Sequence, residues 1–357
     1  MKKKQLIYFK KGSIILFLAV FVLTGCQTKS GQGKQIGESY NVNTHMKEYQ
    51  KTEELLGTVI TGKVYGENGD KGLEKAFERV GEIEKAMSVR QEDSELSKVN
   101  KEAAEHPVVI SDDLYKVIEK ALYYAEKTEG AFDPTIGKLI DLWGIGTENE
   151  RIPSENEIAV LKDRKNYKNV ILDEETKTIF YKNKDIKLDL GAIAKGYAGD
   201  EMKRILKEEF HIENGILSLG GNIVTIGNKP DGEKWKVGIV NPFDISKVYG
   251  TLESGEKTVV TSGNYERYFI RDGIRYHHII NPKTGYPAEE GLVSTTIYGN
   301  CSMDADALST ASYIMGKERA IELLEEMKEF QGIFIEEKGN VVTTSGITEE
   351  IFHKETE

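Results

Sequence analysis

The succession of helical and strand-like patterns beyond Leu55 is the feature that most restricts the fold of this chain. Helical patterns cover five segments, 72–90, 112–128, 192–209, 303–315 and 317–328, and a capping box at Ser154–Glu157 predicts a further short helix. Strand-like runs fill the intervals: 55–65, 169–190, 215–219, 223–226, 234–240, 257–261, 266–270, 275–280, 292–298 and a last pair near 332–344. Because the two kinds of element do not alternate in a strict βαβ rhythm, we expect an α+β (mixed α/β) fold. It should form one large domain over residues 51–357, with mixed strands and flanking helices.

The first 25 residues have the three parts of an export signal. Five lysines flank an apolar run, Ile14 to Leu23, which is shorter than the about 20 residues that span a membrane. The apolar run ends in Leu23-Thr24-Gly25, a cleavage site with small residues, and Cys26 follows it directly. This arrangement predicts a lipoprotein signal peptide over residues 1–25 and lipidation of Cys26. The mature chain would then be anchored to the cell membrane, facing outside the cytoplasm. An ordinary signal peptide with an incidental cysteine is the alternative.

The segment 26–50 is polar, with few large apolar residues, which is typical of a flexible tether. Loss of residues 1–25 removes five lysines and changes the formal net charge from −11 to −16. An acidic chain without a basic tract argues against a nucleic-acid partner, because nucleic acids require phosphate-neutralising Lys and Arg. With Cys26 lipidated, Cys301 has no partner for an intramolecular disulfide, so stability must come from a packed core.

Two glycine-containing segments are candidates for a ligand site. Gly130–Thr135 reads GAFDPT and could offer backbone amides, an aromatic face and the Asp133 carboxylate to a flat ligand. A helix end followed by a Pro turn explains it adequately as well. The segment 189–198 reads DLGAIAKGYA and runs from a strand end into a helix N-terminus, where free N–H groups favour anions. Lys195 would suit an opposing phosphate there, but a packed turn with a surface lysine is a comparable interpretation.

Two later segments add groups that could act on a bound ligand. His277 and His278 are adjacent on a predicted strand, so only one of them can enter a given site. Asp306 and Thr310 are four residues apart on a predicted helix and share a face. A carboxylate, a hydroxyl and a nearby carbonyl are the hard oxygen ligands that Mg²⁺ accepts. Asp304, at the start of the same helix, is expected to be its cap.

Taken together and in this order, these segments resemble the ApbE family, the FAD:protein FMN transferases. The likeness covers nearly the whole mature chain, from about Leu55 to Ile335. It implies a Mg²⁺-dependent reaction in which FMN is transferred from FAD to a threonine (or serine) hydroxyl of an acceptor protein. The product is a phosphoester, and AMP is released. It further implies extracytoplasmic acceptor proteins with an Asp-x-x-Ser/Thr-Gly-Ala-Thr-type motif.

The resemblance assigns roles to individual residues of this chain. The Mg²⁺ site falls on Asp306, Thr310 and the main-chain carbonyl of Ala192. The catalytic residues are His278, chosen over His277, and Asp306. The flavin nucleotide contacts fall on seven positions: Leu56, Ala131, Phe132, Asp133, Asp189, Lys195 and Ile280.

The chain departs from the family pattern at two places. It has Leu56-Gly57-Thr58 where the family has Met-Gly-Thr near the adenine site. After Met87-Ser88, many relatives have an aromatic residue near the flavin, and this chain has Val89-Arg90. The nucleotide could therefore be held differently at that edge, whereas Met87 itself is expected to belong to the core.

Two other functions remain open from the sequence. A metal-dependent FAD pyrophosphatase would use the same site with water as the nucleophile and would release FMN and AMP. A non-catalytic flavin-binding lipoprotein would store or deliver FAD outside the cell.

Overall fold

The structure is a computed structural model that describes residues 46–355. The predicted signal peptide, Cys26 and residues 26–45 of the predicted tether lie outside this range. Residues 48–50, which the sequence assigned to the tether, belong to the first strand, so the folded part begins earlier than expected. Within residues 46–355, no helix combines the length and the apolar character needed to cross a membrane.

Strands and helices follow one another in a mixed order along residues 46–355. The strands are β1 Glu48–Leu55, β2 Thr58–Tyr65, β3 Val108–Val109, β4 Val170–Asp173, β5 Thr178–Tyr181, β6 Asn214–Leu219, β7 Asn222–Ile226, β8 Trp235–Val240, β9 Val248–Ser254, β10 Thr258–Gly263, β11 Tyr268–Arg271, β12 Ile274–His277, β13 Leu292–Gly299, β14 Gln331–Glu336, β15 Val341–Thr343 and β16 Phe352–Lys354. The helices are α1 Gly69–Met87, α2 Glu95–Glu102, α3 Asp112–Lys127, α4 Gly137–Trp143, α5 Glu155–Ala159, α6 Ala194–Arg204, α7 Ser302–Met315 and α8 Lys317–Met327.

An eight-stranded antiparallel sheet forms the centre of the fold, in the order β1-β2-β6-β7-β10-β13-β14-β15. Neighbouring residues of β10 show how its two faces are covered. Val260 packs into the main core with the helices, whereas Val259 packs into a second cluster. That second cluster includes Val237 and Leu252 of the three-stranded sheet β16-β9-β8. The central sheet therefore lies between a helical layer and a smaller sheet, as the period-two alternation of strand side chains allows.

Helices α6 and α7 lie side by side in the helical layer. α7 is buried around most of its circumference, which is typical of a helix inside a core. At Gly196, an added Cβ would lie 2.2 Å from the carbonyl oxygen of Ser302, so only glycine permits this close approach of the two helices. The contact brings the first turn of α6 next to α7, and it fixes the position of Lys195 relative to Asp306.

The mixed α/β fold class is confirmed, and most of the expected elements are present. The predicted strand 55–65 is interrupted near its start. Leu56 and Gly57 have φ values of 55° and 68° and form the turn between β1 and β2, so the strand itself begins at Thr58. The third run of the segment 169–190, IKLDL, forms an isolated bridge at Lys187 rather than a strand. The predicted helix 192–209 ends at Arg204 and is followed by a π-type turn. The short helix predicted from the capping box is α5, whereas helices α2 and α4 and strands β3, β9 and β16 were not predicted.

Candidate active site

A cleft between the helical layer and the β11–β12 hairpin brings together ten of the eleven predicted site residues within the described range. The space within it is about 1750 Å³, including the solvent at its mouth. The predicted residues that line it are Ala131, Phe132, Asp133, Asp189, Ala192, Lys195, His278, Ile280, Asp306 and Thr310. Leu56 does not line it. These residues come from four separate segments of the sequence, which therefore converge on one concave surface.

The floor of the cleft is charged and lies where α6 meets α7. The Lys195 ammonium lies 3.2 and 3.4 Å from the two carboxylate oxygens of Asp306. The Gly196 N–H, in the first turn of α6, donates to the same carboxylate over 2.9 Å. The Asp306 side chain is only 3 % exposed, so these partners replace the hydrogen bonds that water would otherwise make to it. A buried carboxylate and a lysine at a helix N-terminus together make a site for phosphate groups and cations.

The donor set around Asp306 fits a hard cation. Thr310 lies one turn further along α7 and also lines the cleft, as does Ala192 immediately before α6. Within residues 46–355, no group of three or more His, Cys, Asp or Glu side chains is placed to hold a metal ion. The expected ligands include only one carboxylate, with a hydroxyl and a carbonyl, and such oxygen ligands suit Mg²⁺ when phosphate and water complete the shell.

Two acidic residues join the glycine-containing segments at the side of the cleft. Asp189 accepts a hydrogen bond from the Gly191 N–H over 2.8 Å, and its own N–H donates to the Pro134 carbonyl over 2.8 Å. Asp133 accepts from the Thr135 N–H over 2.8 Å. Although Asp133 keeps some solvent contact, the surrounding protein raises its pKa to about 6, against the opposing effect of the Thr135 hydrogen bonds. The two segments therefore form one continuous rim.

The adjacent histidines have opposite environments. His277 is 4 % exposed, with Nε2 3.0 Å from the Ala288 carbonyl and its ring edge-on to Tyr313. His278 lines the cleft, and its Nδ1 lies 3.3 Å from the Arg267 carbonyl. A carbonyl can only accept, so Nδ1 carries the proton and Nε2 keeps a lone pair. Solvent reaches part of the His278 ring, yet desolvation by the cleft walls, followed by the nearby Arg267 charge, holds its pKa well below the usual value.

An aromatic cluster stands behind the opposite wall of the cleft. Trp143 lines the cleft and donates from Nε1 to the Gly285 carbonyl over 2.8 Å. Its ring lies 5.7 Å from the rings of both Tyr276 and Tyr286, and Tyr276 stacks on Phe269 at 5.2 Å. Trp143 is fully buried, so the cluster supports the cleft from behind through its packing. The cluster also ties the β11–β12 hairpin to α4, which positions His278 at the base of the hairpin.

Several predictions concerned residues that the structure places away from the cleft or uses differently. Leu56 lies in the β1–β2 turn, where its N–H donates to Glu84 over 2.9 Å. Met87 is 5 % exposed in the core, as expected, while Val89 and Arg90 line the cleft. The prediction that Asp304 caps α7 was wrong. Asp304 pairs with Lys120.

The residue that caps α7 is Asp200, on α6. Its carboxylate accepts from the N–H groups of Ser302 and Met303, each over 2.8 Å. The local rule that favours Asp near a helix start therefore selected the wrong aspartate, because the partner lies more than a hundred positions away in sequence.

Two further cleft residues, between β10 and β11, were not predicted from the sequence. Glu266 and Arg267 both line the cleft, and Arg267 orients His278 through its main-chain carbonyl. The segment 266–270 was assigned only as a strand. Its position between Thr261 and the two histidines was the one signal in the sequence that could have identified it.

A buried acid, a lysine at a helix N-terminus and a neutral imidazole define a cleft suited to a nucleotide and its phosphates. Comparison with known proteins shows which family of nucleotide-binding proteins this cleft belongs to. A sequence model described as the ApbE family matches residues 56–334. The FAD:protein FMN transferase of Treponema pallidum is 34% identical over 324 residues, covering 86% of this chain and 89% of the relative. That of Klebsiella pneumoniae is 32% identical over 299 residues, covering 83% and 92%.

Solved structures give the same result. The ApbE protein of Thermotoga maritima has a TM-score of 0.78 and 35% identity, covering 84% of this chain and 97% of that one. The flavin transferase ApbE of Vibrio cholerae has a TM-score of 0.76 and 28% identity, covering 84% and 98%. The chain therefore belongs to the ApbE family of flavin transferases.

Proposed function

We propose that this enzyme transfers FMN from FAD to a threonine (or serine) hydroxyl of an acceptor protein, in a Mg²⁺-dependent reaction that releases AMP. The observation that carries the proposal is the convergence of Lys195, Asp306 and His278 on one cleft large enough for a dinucleotide. The family membership and the printed names of the relatives support the same reaction.

FAD would lie along the cleft with its pyrophosphate at the floor. Lys195 and the N–H groups of the first turn of α6 would neutralise and orient the phosphates. The carboxylates of Asp133 and Asp189 offer acceptors along the rim for polar groups of the nucleotide.

The transfer step is a displacement at phosphorus. The acceptor hydroxyl oxygen forms a bond to the phosphorus of the FMN half, the bond from that phosphorus to AMP breaks, and its electron pair leaves with AMP. The hydroxyl proton goes to Nε2 of His278. This nitrogen is free to accept because Nδ1 donates to Arg267 and the lowered pKa keeps the ring neutral near about pH 7.

Asp306, Thr310 and the carbonyl of Ala192 would hold the magnesium ion. When bound, Mg²⁺ would polarise the phosphoryl oxygens and offset the charge that develops on AMP. Lys195 would supply a second positive charge at the phosphates. Positioning and charge neutralisation of this kind account for most of the catalysis in phosphoryl transfer.

The location of the reaction follows from the predicted export signal. We propose that Cys26 carries a lipid anchor and that acceptors expose their threonine outside the cytoplasm. Residues 27–47 would connect the anchor to β1, giving the enzyme reach over neighbouring proteins at the membrane surface. The acceptors would carry the Asp-x-x-Ser/Thr-Gly-Ala-Thr-type motif that the family resemblance implies.

The test is to incubate the full-length chain with FAD, Mg²⁺ and an acceptor protein that carries this motif, and to measure the intact mass of the acceptor. A gain of one FMN is expected, and the same acceptor with its final threonine changed to alanine serves as the control. Free FMN and AMP without acceptor labelling would instead assign the chain as a pyrophosphatase. Unchanged FAD would leave only a flavin-binding protein.

A further inference from the structure

Two serines form a chain of hydroxyl groups next to Thr310, of which Ser262 also lines the cleft and Ser309 is buried. Ser262, on β10, lies with Oγ 2.8 Å from Oγ of Ser309 and 3.4 Å from Oγ1 of Thr310. Ser309, on α7, is fully buried, and its Oγ lies 2.9 Å from the main-chain carbonyl of Asp306. Thr295 of β13 donates to the Ser309 carbonyl over 2.8 Å and holds this turn of α7 against the sheet. The chain of hydroxyl groups therefore links the Thr310 side chain to the main chain of Asp306, the two residues whose side chains are expected to bind the cation.

The directions of these hydrogen bonds follow from the number of protons. A hydroxyl carries one proton and two lone pairs, and a carbonyl oxygen can only accept. Ser309 therefore gives its proton to the Asp306 carbonyl. In the contact between the two serines, Ser262 must then be the donor. With that proton used, Ser262 can only accept from Thr310.

The consequence for Thr310 is a fixed orientation of its hydroxyl. Its proton points to Ser262, away from the cleft, so its lone pairs are left for the cleft that the residue lines. A hard cation binds oxygen lone pairs and is repelled by an O–H proton. A threonine with the opposite orientation would present its proton to the cation.

We propose that Ser262 and Ser309 are positioning residues that orient the Thr310 hydroxyl for a divalent cation. This inference rests on the proposed function, which places Mg²⁺ at Asp306 and Thr310. Partners that orient metal ligands commonly change metal affinity by about 10–100-fold when they are removed. Neither serine needs to touch the cation for this effect.

The experiment measures binding of Mn²⁺ alone to the full-length chain, by the loss of the free Mn²⁺ signal in electron paramagnetic resonance. Ser262→Ala removes the acceptor for the Thr310 proton, and we expect an affinity at least about tenfold weaker. Ser309→Ala frees the Ser262 proton to point at Thr310, so it should weaken binding in the same way, although the Ser309 hydroxyl bonds Ser262 and the Asp306 carbonyl rather than the Thr310 hydroxyl. Ser262→Thr restores a hydroxyl and should bring the affinity back to within about threefold of the wild type.

Thr296→Val is the matched control. Thr296 lies on the adjoining strand β13, bonds Thr261 over 2.8 Å and is separate from the hydroxyl chain, so its loss should leave Mn²⁺ affinity unchanged. Thermal unfolding checks that each variant is folded, and Ser309→Ala decides the matter if Ser262→Ala does not fold. Mn²⁺ affinities within about twofold of the wild type in the folded serine variants would overturn the inference and leave the metal site standing. A wild-type chain that binds no Mn²⁺ would overturn the metal site as well.

Discussion

Two groups of charged side chains lie along helix α6, and they differ in whether their charges are fully paired inside the protein. The entrance pair, Lys195 and Asp306, lies at the start of the helix on the floor of the cleft. The anchor cluster joins Arg79 of α1, Asp113 of α3 and Glu201 of α6. Both contain a largely buried carboxylate with a cationic partner, so their chemistry is similar while their surroundings are not.

The anchor cluster is closed. Arg79 donates to Asp113 over 2.6 Å and to Glu201 over 3.0 Å, and Tyr197 adds a further hydrogen bond to Asp113. Burial alone would raise the pKa of Asp113, but the hydrogen bonds from Arg79 and Tyr197 hold it below its usual value. Each carboxylate therefore has fixed partners, and three helices are joined.

The entrance pair is open by comparison. Lys195 reaches Asp306 only over 3.2 and 3.4 Å, and both residues face a space that can admit phosphates or a cation. The difference in pairing indicates that the two groups have different roles along α6. The anchor cluster holds the helix in place, and the entrance pair remains available for ligands. The same contrast recurs in His277, which is bonded inside the core, and His278, which keeps a free nitrogen in the cleft.

The largest expected effect is that of Asp306→Ala on FMN transfer. It removes the only carboxylate among the expected cation ligands, so we expect a rate at least roughly 10³-fold lower, measured as covalent FMN on the acceptor. Asp304→Ala, on the same helix, removes the partner of Lys120 and should retain the wild-type rate. Wild-type turnover by Asp306→Ala at limiting Mg²⁺ would contradict the site assignment.

His278→Ala should have the next largest effect. Loss of the proton acceptor is expected to lower the transfer rate by about 10²–10³-fold, while FAD affinity, followed by flavin fluorescence, stays largely unchanged. Loss of FAD binding with little change in the rate at saturating FAD would reassign His278 to nucleotide recognition. The contrast between His277, which is bonded inside the core, and His278, which is available for the reaction, would then no longer hold.

Arg79→Ala tests the anchor cluster through stability. It leaves Asp113 and Glu201 without their shared cation, and we expect the free energy of unfolding in urea to fall by about 3 kcal/mol. The transfer rate per folded molecule should stay within about twofold of the wild type. Arg319→Ala is the matched control, because its pair with Glu129 is exposed and should contribute about 0–1 kcal/mol.

The smallest expected effect concerns the pH dependence of stability at His277. Burial lowers its pKa to about 4, whereas the unfolded chain titrates near about 6.5. Between these values the unfolded state binds more protons, so stability falls as the pH falls through this window. His277→Gln should reduce the loss between about pH 7 and about pH 4.5 by about 2 kcal/mol. An unchanged pH profile would show that His277 is not held neutral by the core.

The residues of the cleft could be found in the sequence because they stand at element boundaries, in short patterns that folding alone does not require. Asp189–Lys195 and Asp306–Thr310 are of this kind, and both line the cleft. Helices α3 and α7 were predicted within two residues at each end, because their apolar residues recur with the helical period.

What could not be predicted depends on contacts between distant segments. The Asp200 cap of α7 and the contact of Ser262 with Ser309 join residues 102 and 47 positions apart. No local propensity encodes such pairs. The turn at Leu56-Gly57 could not be predicted either. The residues on both sides have strand character, and a non-glycine residue, Leu56, takes a positive φ there.

The most direct test compares covalent FMN on the acceptor, by intact mass, for the wild type, Asp306→Ala and Arg79→Ala, with saturating FAD and Mg²⁺ and rates normalised to folded enzyme. If the entrance pair marks the reaction centre and the anchor cluster only holds α6, the wild type and Arg79→Ala will each add one FMN per acceptor at similar rates. Asp306→Ala will add almost none. Labelling by Asp306→Ala at the wild-type rate, or an equal loss in folded Arg79→Ala, would contradict this division.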